Sequence, residues 1–209
     1  VKSEFLGRTK LAKLAIDIEQ NDIGEIIGVQ DQCASAFGGL VHIQADKEGV
    51  KPKRFLVRKE YQDYIESSLL MGFTGRQRFS SVASNKVNDA LKNTKNLDYL
   101  EELHKVSHEG IIAFGKEADI QENARITKIC RDIKLSMNQD KFDPDLMDLI
   151  ETSERAGSLC TRIMGAGGGG FFICWAPEYR HDAIKSAVNV KTWVKVKISA
   201  TGSQIIFSE

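Results

Sequence analysis

The four cysteines of this 209-residue chain, Cys33, Cys130, Cys160 and Cys174, stand far apart, with no C-x-x-C pair among them. Neither a disulfide framework nor a cysteine-bound zinc is indicated, and the thiols read as reduced, buried and cytosolic. Charge of one sign is also lacking: 29 Lys plus Arg balance 29 Asp plus Glu. No segment makes the basic stripe that nucleic-acid binding requires. The most apolar run near the end, FFICWA, is far too short to cross a bilayer, where roughly 20 residues are needed. The amino terminus carries no basic-then-apolar signal pattern. A cytoplasmic protein with no nucleic-acid or membrane partner is therefore expected. There is no internal repeat, and the one low-complexity stretch is a glycine cluster. The chain opens on Val1 rather than Met and runs almost at once into a helical pattern, as a piece of a longer protein would.

What is present suffices for a core: 42% of the residues are apolar, and the length suits one large domain or two small ones. Phe5, Leu6, Leu11, Leu14, Ala15 and Ile18 recur near the 3.6-residue period, predicting a helix over 3–20 that stops at Asn21 and Gly24. LVHIQAD (40–46) and KRFLVR (53–58) read as strands of a hairpin with a longer loop through Gly49 and Pro52. SLLMGFTG (68–75) reads as a strand ending in a glycine turn. Helical patterns follow over 80–91, 97–118 and 119–137. A further helix has Asp143 as N-cap and Pro144 in its first turn, and ends at Gly157. The remainder alternates strand (LCTRIMG), loop (GAGGGG), strand (FFICWAP), helix (EYRHDAIKSA) and two strands (TWVKVKIS, QIIFS). Helices grouped between strands predict an α+β layer, with helices on one face of an antiparallel sheet.

Three segments could carry chemistry. In GVQDQCASAFGGL (28–40), helical spacing puts Val29, Cys33, Phe37 and Leu40 on an apolar face. Asp31, Ala34, Ser35 and Gly38 form a second stripe of small residues with one charge, against which something bulky can lie. Asp31 reads either as a functional carboxylate or as an N-cap. TGRQRFSS (74–81) sets Arg76 and Arg78 beside a helix start, where they could hold an anion. GAGGGG (165–170) is a loop whose open backbone can press against a phosphate or another phosphate-binding segment, or is simply a hairpin connection. It matches neither the dinucleotide fingerprint nor a Walker loop. His104 and His108 have metal-ligand spacing on a helix, but no Glu follows the first and no third ligand is evident, so no metal site is assigned.

In this order, DQCASAFGGL, MGFTGRQRFSS and IMGAGGGGFFI resemble the GHMP small-molecule kinases, and within them the sugar kinases acting on heptose phosphate. The resemblance runs from the helix at residue 3 to the last strand. It implies the end of a ribosomal-protein-S5-like first domain (1–62) followed by a ferredoxin-like GHMP kinase C-terminal domain (63–209). It implies an ATP-dependent kinase that phosphorylates a sugar hydroxyl, an anomeric one on a heptose-phosphate-like substrate. Asp31 matches the family's catalytic base, near a helix start where the dipole favours a carboxylate. Gln30 and Gln32 flank Asp31 and could hydrogen-bond sugar hydroxyls, and Arg78 matches a substrate or phosphate contact. Gly165, Ala166, Gly167, Gly168, Gly169 and Gly170 match the motif that packs against the ATP-phosphate loop.

The sequence departs from the family in three places. EIIGVQDQ lacks the Gly-Gly-Lys that usually precedes D-Q, and Cys33 stands where Tyr is usual. The P-x-x-x-G-L-G-S-S-S loop that wraps the phosphates of ATP and serves Mg²⁺ has no counterpart in this sequence. The ligands of ATP and Mg²⁺ are thus expected upstream, and the 209-residue chain by itself is expected to be inactive and to self-associate through its incomplete first domain. The alternative is a non-catalytic sugar-binding or partner module derived from such a kinase.

Overall fold

A computed structural model describes residues 6–25, 28–76, 96–137, 143–165 and 168–204. The chain divides into two compact units, one formed by 1–56 with 197–209 and the other by 57–196. The sequence reading places 197–209 with the second domain; the described part of this stretch, 197–204, groups with the first unit instead.

The first unit begins with α1 (Arg8–Asp17), which continues into a single π-helical turn, Ile18–Asp22. Gly24, at φ 76°, then turns the chain, as its position predicts. Helix α2 (Gln30–Phe37) packs on α1 through Ala12, Cys33, Ala36 and Phe37, joined by Val41, Ile43 and Val50. Strands β1 (Leu40–Asp46) and β2 (Gly49–Phe55) pair antiparallel, Leu40 opposite Phe55 and Asp46 opposite Gly49. Sequence reading starts the second strand at 53, taking Pro52 as loop. Pro52 instead sits within β2 opposite Ile43. A two-stranded ladder tolerates this because alternate amides of an edge strand point away from the partner. The tight turn is closed by Asp46, which accepts from the Glu48 amide at 2.8 Å.

The second unit opens with α3 (Lys59–Ser67), a helix missed in the sequence, and then β3 (Leu69–Phe73). Helices α4 (Leu97–Gly115), α5 (Ile120–Met137) and α6 (Pro144–Arg155) follow. Asp143 caps α6 as predicted, accepting from the Asp145 amide at 3.0 Å. The expected helix at 80–91 and strand QIIFS lie outside the described residues, apart from Gln204. Strands β4 (Cys160–Ile163) and β5 (Phe171–Trp175), helix α7 (His181–Ala187) and strand β6 (Thr192–Lys195) complete the unit.

The four strands form one antiparallel sheet in the order β4-β5-β3-β6. In the unit's own strand numbering that is 2-3-1-4, the ferredoxin-like arrangement anticipated above. Leu70, Ile163, Phe172 and Cys174 on one face meet Leu146 and Ile150 of α6 and Ile184 of α7. The pleat turns Trp175 to the opposite face, where its Nε1 donates to Thr127 of α5 at 2.9 Å. Helices therefore touch both faces, rather than one as expected. Helices α4 and α5 share a separate core of Val106, Ala113, Ile126 and Ile133.

Candidate functional site

In the first unit, Val29 occupies the N-cap of α2 and Asp31 lies inside the first turn. The N-cap reading of Asp31 is thereby removed. Its carboxylate is exposed and stands where the unpaired amides of a helix start favour a negative charge. Gln30 is also exposed. Gln32 is not: it is 7% exposed, and its Nε2 donates to Glu19 Oε2 in the π-helical turn at 2.6 Å. Its buried Oε1 has no hydrogen-bond partner. The side chain expected to meet a sugar hydroxyl thus ties α2 to α1.

The bulk against the stripe of small residues is the chain's own later segment. Ser35 O accepts from both the amide and the hydroxyl of Ser203, at 2.8 and 3.0 Å. A Cβ on Gly38 would lie 2.4 Å from Gly202 N, closer than any side chain survives. Ala34 and Asp31, one turn nearer the helix start, remain exposed.

In the second unit, the glycine loop joins β4 to β5 and folds against the segment that leaves β3. The Thr74 amide donates to Gly170 O at 2.9 Å, and the Gly170 amide to Arg76 O at 3.0 Å. Gly169, at φ 130°, brings its Cα so close that a Cβ would lie 3.2 Å from Arg76 Cβ. Gly165 has open space where a Cβ would stand. Ala166, Gly167 and Arg78 lie outside the described residues.

The Arg76 guanidinium forks onto Asp143 and Asp145 at the start of α6. Partial burial pushes the Asp143 carboxyl up, but the Asp145 amide and the Arg76 charge outweigh it and hold it below the ordinary carboxylate range. The sequence reading of Arg76 as an anion holder is corrected accordingly, since its donors are taken by two carboxylates of its own chain. The sequence marked Asp143 only as a cap, and nothing local could pair it with a residue 67 positions earlier.

The remaining reactive groups are quiet. Burial raises the thiols of Cys33 and Cys174 and pushes Cys160 up to about 12. No cysteine is in a disulfide, and Cys130 alone among the four is not fully buried. His104 and His108 meet edge to face with ring centres 4.5 Å apart. Among the described residues, no three His, Cys, Asp or Glu side chains gather in a way that could hold a metal, and no helix is long and apolar enough to cross a membrane.

The ferredoxin-like sheet, with a glycine loop folded onto its first strand's exit, defines a class. Residues 113–195 match the family described as GHMP kinases C terminal. Among particular proteins, the chain is similar to the D-glycero-alpha-D-manno-heptose 7-phosphate kinase of Campylobacter jejuni, 25% identical over 187 residues, covering 87% of this chain and 54% of that one. It is also similar to the mevalonate kinase of Thermococcus onnurineus, 24% identical over 215 residues, covering 96% and 58%. Two solved structures share the fold. L. major mevalonate kinase in complex with R-mevalonate superposes with a TM-score of 0.69 at 16% identity, over 95% of this chain and 60% of that one. The D-glycero-D-manno-heptose 1-phosphate kinase of Bacteroides thetaiotaomicron gives 0.63 at 22% identity, over 99% and 58%. The chain spans between half and three-fifths of the length of these relatives.

Proposed function

We propose that this chain supplies the proton acceptor and the glycine loop of an ATP-dependent kinase that phosphorylates a sugar hydroxyl, an anomeric one on a heptose-phosphate-like acceptor. The domains are then the end of a GHMP kinase first domain and a GHMP kinase C-terminal domain. The observation that carries the reading is Asp31: exposed, in the first turn of α2, with no ion pair or side-chain hydrogen bond to another described residue. Buried or paired, that carboxylate would be committed to the fold; exposed in the first turn, it is open to an incoming hydroxyl.

Phosphoryl transfer passes through a loose transition state, so the attacking hydroxyl loses its proton late and needs a well-placed acceptor more than a strong base. Asp31 receives that proton, and small, exposed Ala34 on the next turn leaves room for the acceptor's ring. Gln30, on the exposed side of the same turn, is assigned to the acceptor's hydroxyls, and Arg78 to a phosphate. ATP supplies the transferred phosphoryl group. Among the described residues no three His, Cys, Asp or Glu side chains gather, and Arg76 is already paired with Asp143 and Asp145; we assign the Mg²⁺ ligands and the main phosphate loop to the part of the relatives' length that this chain does not span.

The test is ADP release from Mg-ATP by the complete gene product, with heptose phosphates, galactose and mevalonate as acceptors. Turnover with a heptose phosphate, reduced about 10²–10⁴-fold by Asp31→Asn as expected for loss of a general base, supports the reading. No ADP with any sugar, or full activity of Asp31→Asn, overturns it. A second reading is a non-catalytic sugar-binding or partner module; calorimetric binding of sugar phosphate by the complete gene product without turnover would select it.

A further inference from the structure

We propose that residues 199–203 form a strap that holds the last turn of α2 and thereby sets the position of Asp31, which makes Gly202 and Ser203 positioning residues; their effect on turnover rests on the kinase reading above. The inference starts from hydrogen bonds at a helix end. The last carbonyls of a helix lack partners inside it and must find them elsewhere. In α2, Ala34 O receives the Gly38 amide at 2.8 Å, as a continuing helix would provide. The next carbonyl, Ser35 O, would receive Gly39. But Gly38 and Gly39 both take positive φ, 65° and 70°, and swing the Gly39 amide out to Ser199 O.

The strap fills the gap it creates. Having accepted the Gly39 amide at Ser199, it returns two donors to Ser35 O, the amide and the hydroxyl of Ser203. Between these two residues the strap is fastened a third time, because Arg54 of β2 donates to Ala200 O at 2.6 Å. The fit is backbone against backbone. A Cβ on Gly202 would lie 2.2 Å from Ala36 O and 2.8 Å from Phe37 C, and one on Gly38 would lie 2.4 Å from Gly202 N and Thr201 C. Neither surface has a flexible side chain that could yield.

Asp31 and Ser35 are four residues apart, one helical turn. A helix of eight residues is too short to be stable by itself, so its axis is set by what grips its ends. The near end is gripped by Gln32 on Glu19, and the far end by the strap. Loosening the strap therefore moves the Asp31 carboxylate without touching it, and a displacement of about 1 Å in a reacting group costs on the order of 10²-fold in rate.

Two variants of the full chain test this. Gly202→Ala forces the strap off α2. Ser203→Pro removes both donors to Ser35 and sets its ring carbon where the amide hydrogen met the carbonyl, a second way of releasing the strap. Hydrogen exchange should rise at least tenfold for the α2 amides of Cys33 and Gly38, with the second unit's Ile150 and Phe172 unchanged. In turnover, kcat should fall at least tenfold with little change in KM. Ser203→Thr, which keeps both donors, should stay within twofold of the parent. In an Asp31→Asn background the strap variants should leave the residual kcat unchanged, since there is no carboxylate left to misplace.

Unchanged α2 exchange in both variants overturns the strap. Raised exchange with a kcat loss that persists undiminished in the Asp31→Asn background overturns the positioning role. If the parent transfers no phosphoryl group to any acceptor, it is the kinase reading that fails, and the exchange measurement still decides whether the strap holds α2.

Discussion

Arg131 and Glu154 divide the backbone of Thr161 between them. Arg131 donates to Thr161 O at 2.9 Å, Glu154 accepts from Thr161 N at 3.1 Å, and the two side chains are themselves ion-paired. Thr161 belongs to β4, an edge strand of the four-stranded sheet, so its outward amide and carbonyl would otherwise have no ladder partner. Helices α5 and α6 are thus fastened to the sheet edge at a single residue.

Removing Glu154 takes away the acceptor of the Thr161 amide and one of the two carboxylates on Arg131. Arg131 is only 9% exposed but keeps Asp132 as a second partner at 2.9 Å, so Glu154→Ala should destabilise by about 1–3 kcal/mol, the cost of leaving the Thr161 amide and part of the guanidinium unsatisfied. Glu154→Gln, which keeps an acceptor for the Thr161 amide, should cost less. Urea unfolding of the variants checks both the size and the order; equal losses would mean that the charge is unimportant.

Gly72 lies in β3 beneath two aromatic rings. It pairs with Phe172 on one side and Trp193 on the other, and those rings meet edge to face with centres 5.5 Å apart. A Cβ there would sit 2.4 Å from Phe172 Cζ, so Gly72→Ala should destabilise by about 1–3 kcal/mol through overpacking, and Gly72→Val by more. Thermal unfolding checks this, and near-ultraviolet circular dichroism should report the displaced Trp193.

Much of this fold was legible because its signals are local. Asp143-Pro144 is one such signal, a capping carboxylate followed by a residue with no amide to lose, and α6 starts there. Helix α3 was missed although Tyr61 and Ile65 stand at the right spacing. It follows β2 after three residues with no glycine or proline between, and its tyrosines suit strands equally well. At the candidate site, Asp31 could be singled out as a charge in a stripe of small residues. That Gln32 is taken by Glu19, Arg76 by Asp143 and the stripe by Ser203 could not, because those partners lie 13, 67 and 168 positions away and no periodicity encodes such separations.

Gly169→Val should damage the glycine loop. The residue needs φ 130°, and a side chain would meet Arg76 at 3.2 Å; strain of this kind costs on the order of 1–3 kcal/mol. On the kinase reading, KM for ATP should rise while Asp31 chemistry persists. A stability loss with an unaltered KM would make the loop a connector only.

Cysteine chemistry gives a pH dependence with a definite sign. Burial raises Cys160 from 9.0 to about 12, Arg131 opposing only in part. Below pH 9 the thiol is neutral folded or unfolded and contributes no difference. Above it the unfolded chain ionises and the folded one does not, so stability should decline from about pH 9 toward about 12. Cys160→Ser should flatten that decline. In the native protein at pH 8, a thiol reagent should modify Cys130 ahead of Cys33, Cys160 and Cys174, which should react only on unfolding.

The division of the chain into a continuous unit, 57–196, and one assembled from 1–56 with 197–209 has a consequence for biosynthesis. A nascent chain leaves the ribosome from its amino end, and domains fold as their last contacts emerge. Helix α2 is made early but must wait for Ser203, 168 positions later, while the ferredoxin-like sheet needs nothing beyond β6. The unit translated around it closes last. Until then Asp31 sits on a helix with one end ungripped, so a chain that stalls after β6 would contain a finished sheet and an unfinished first unit.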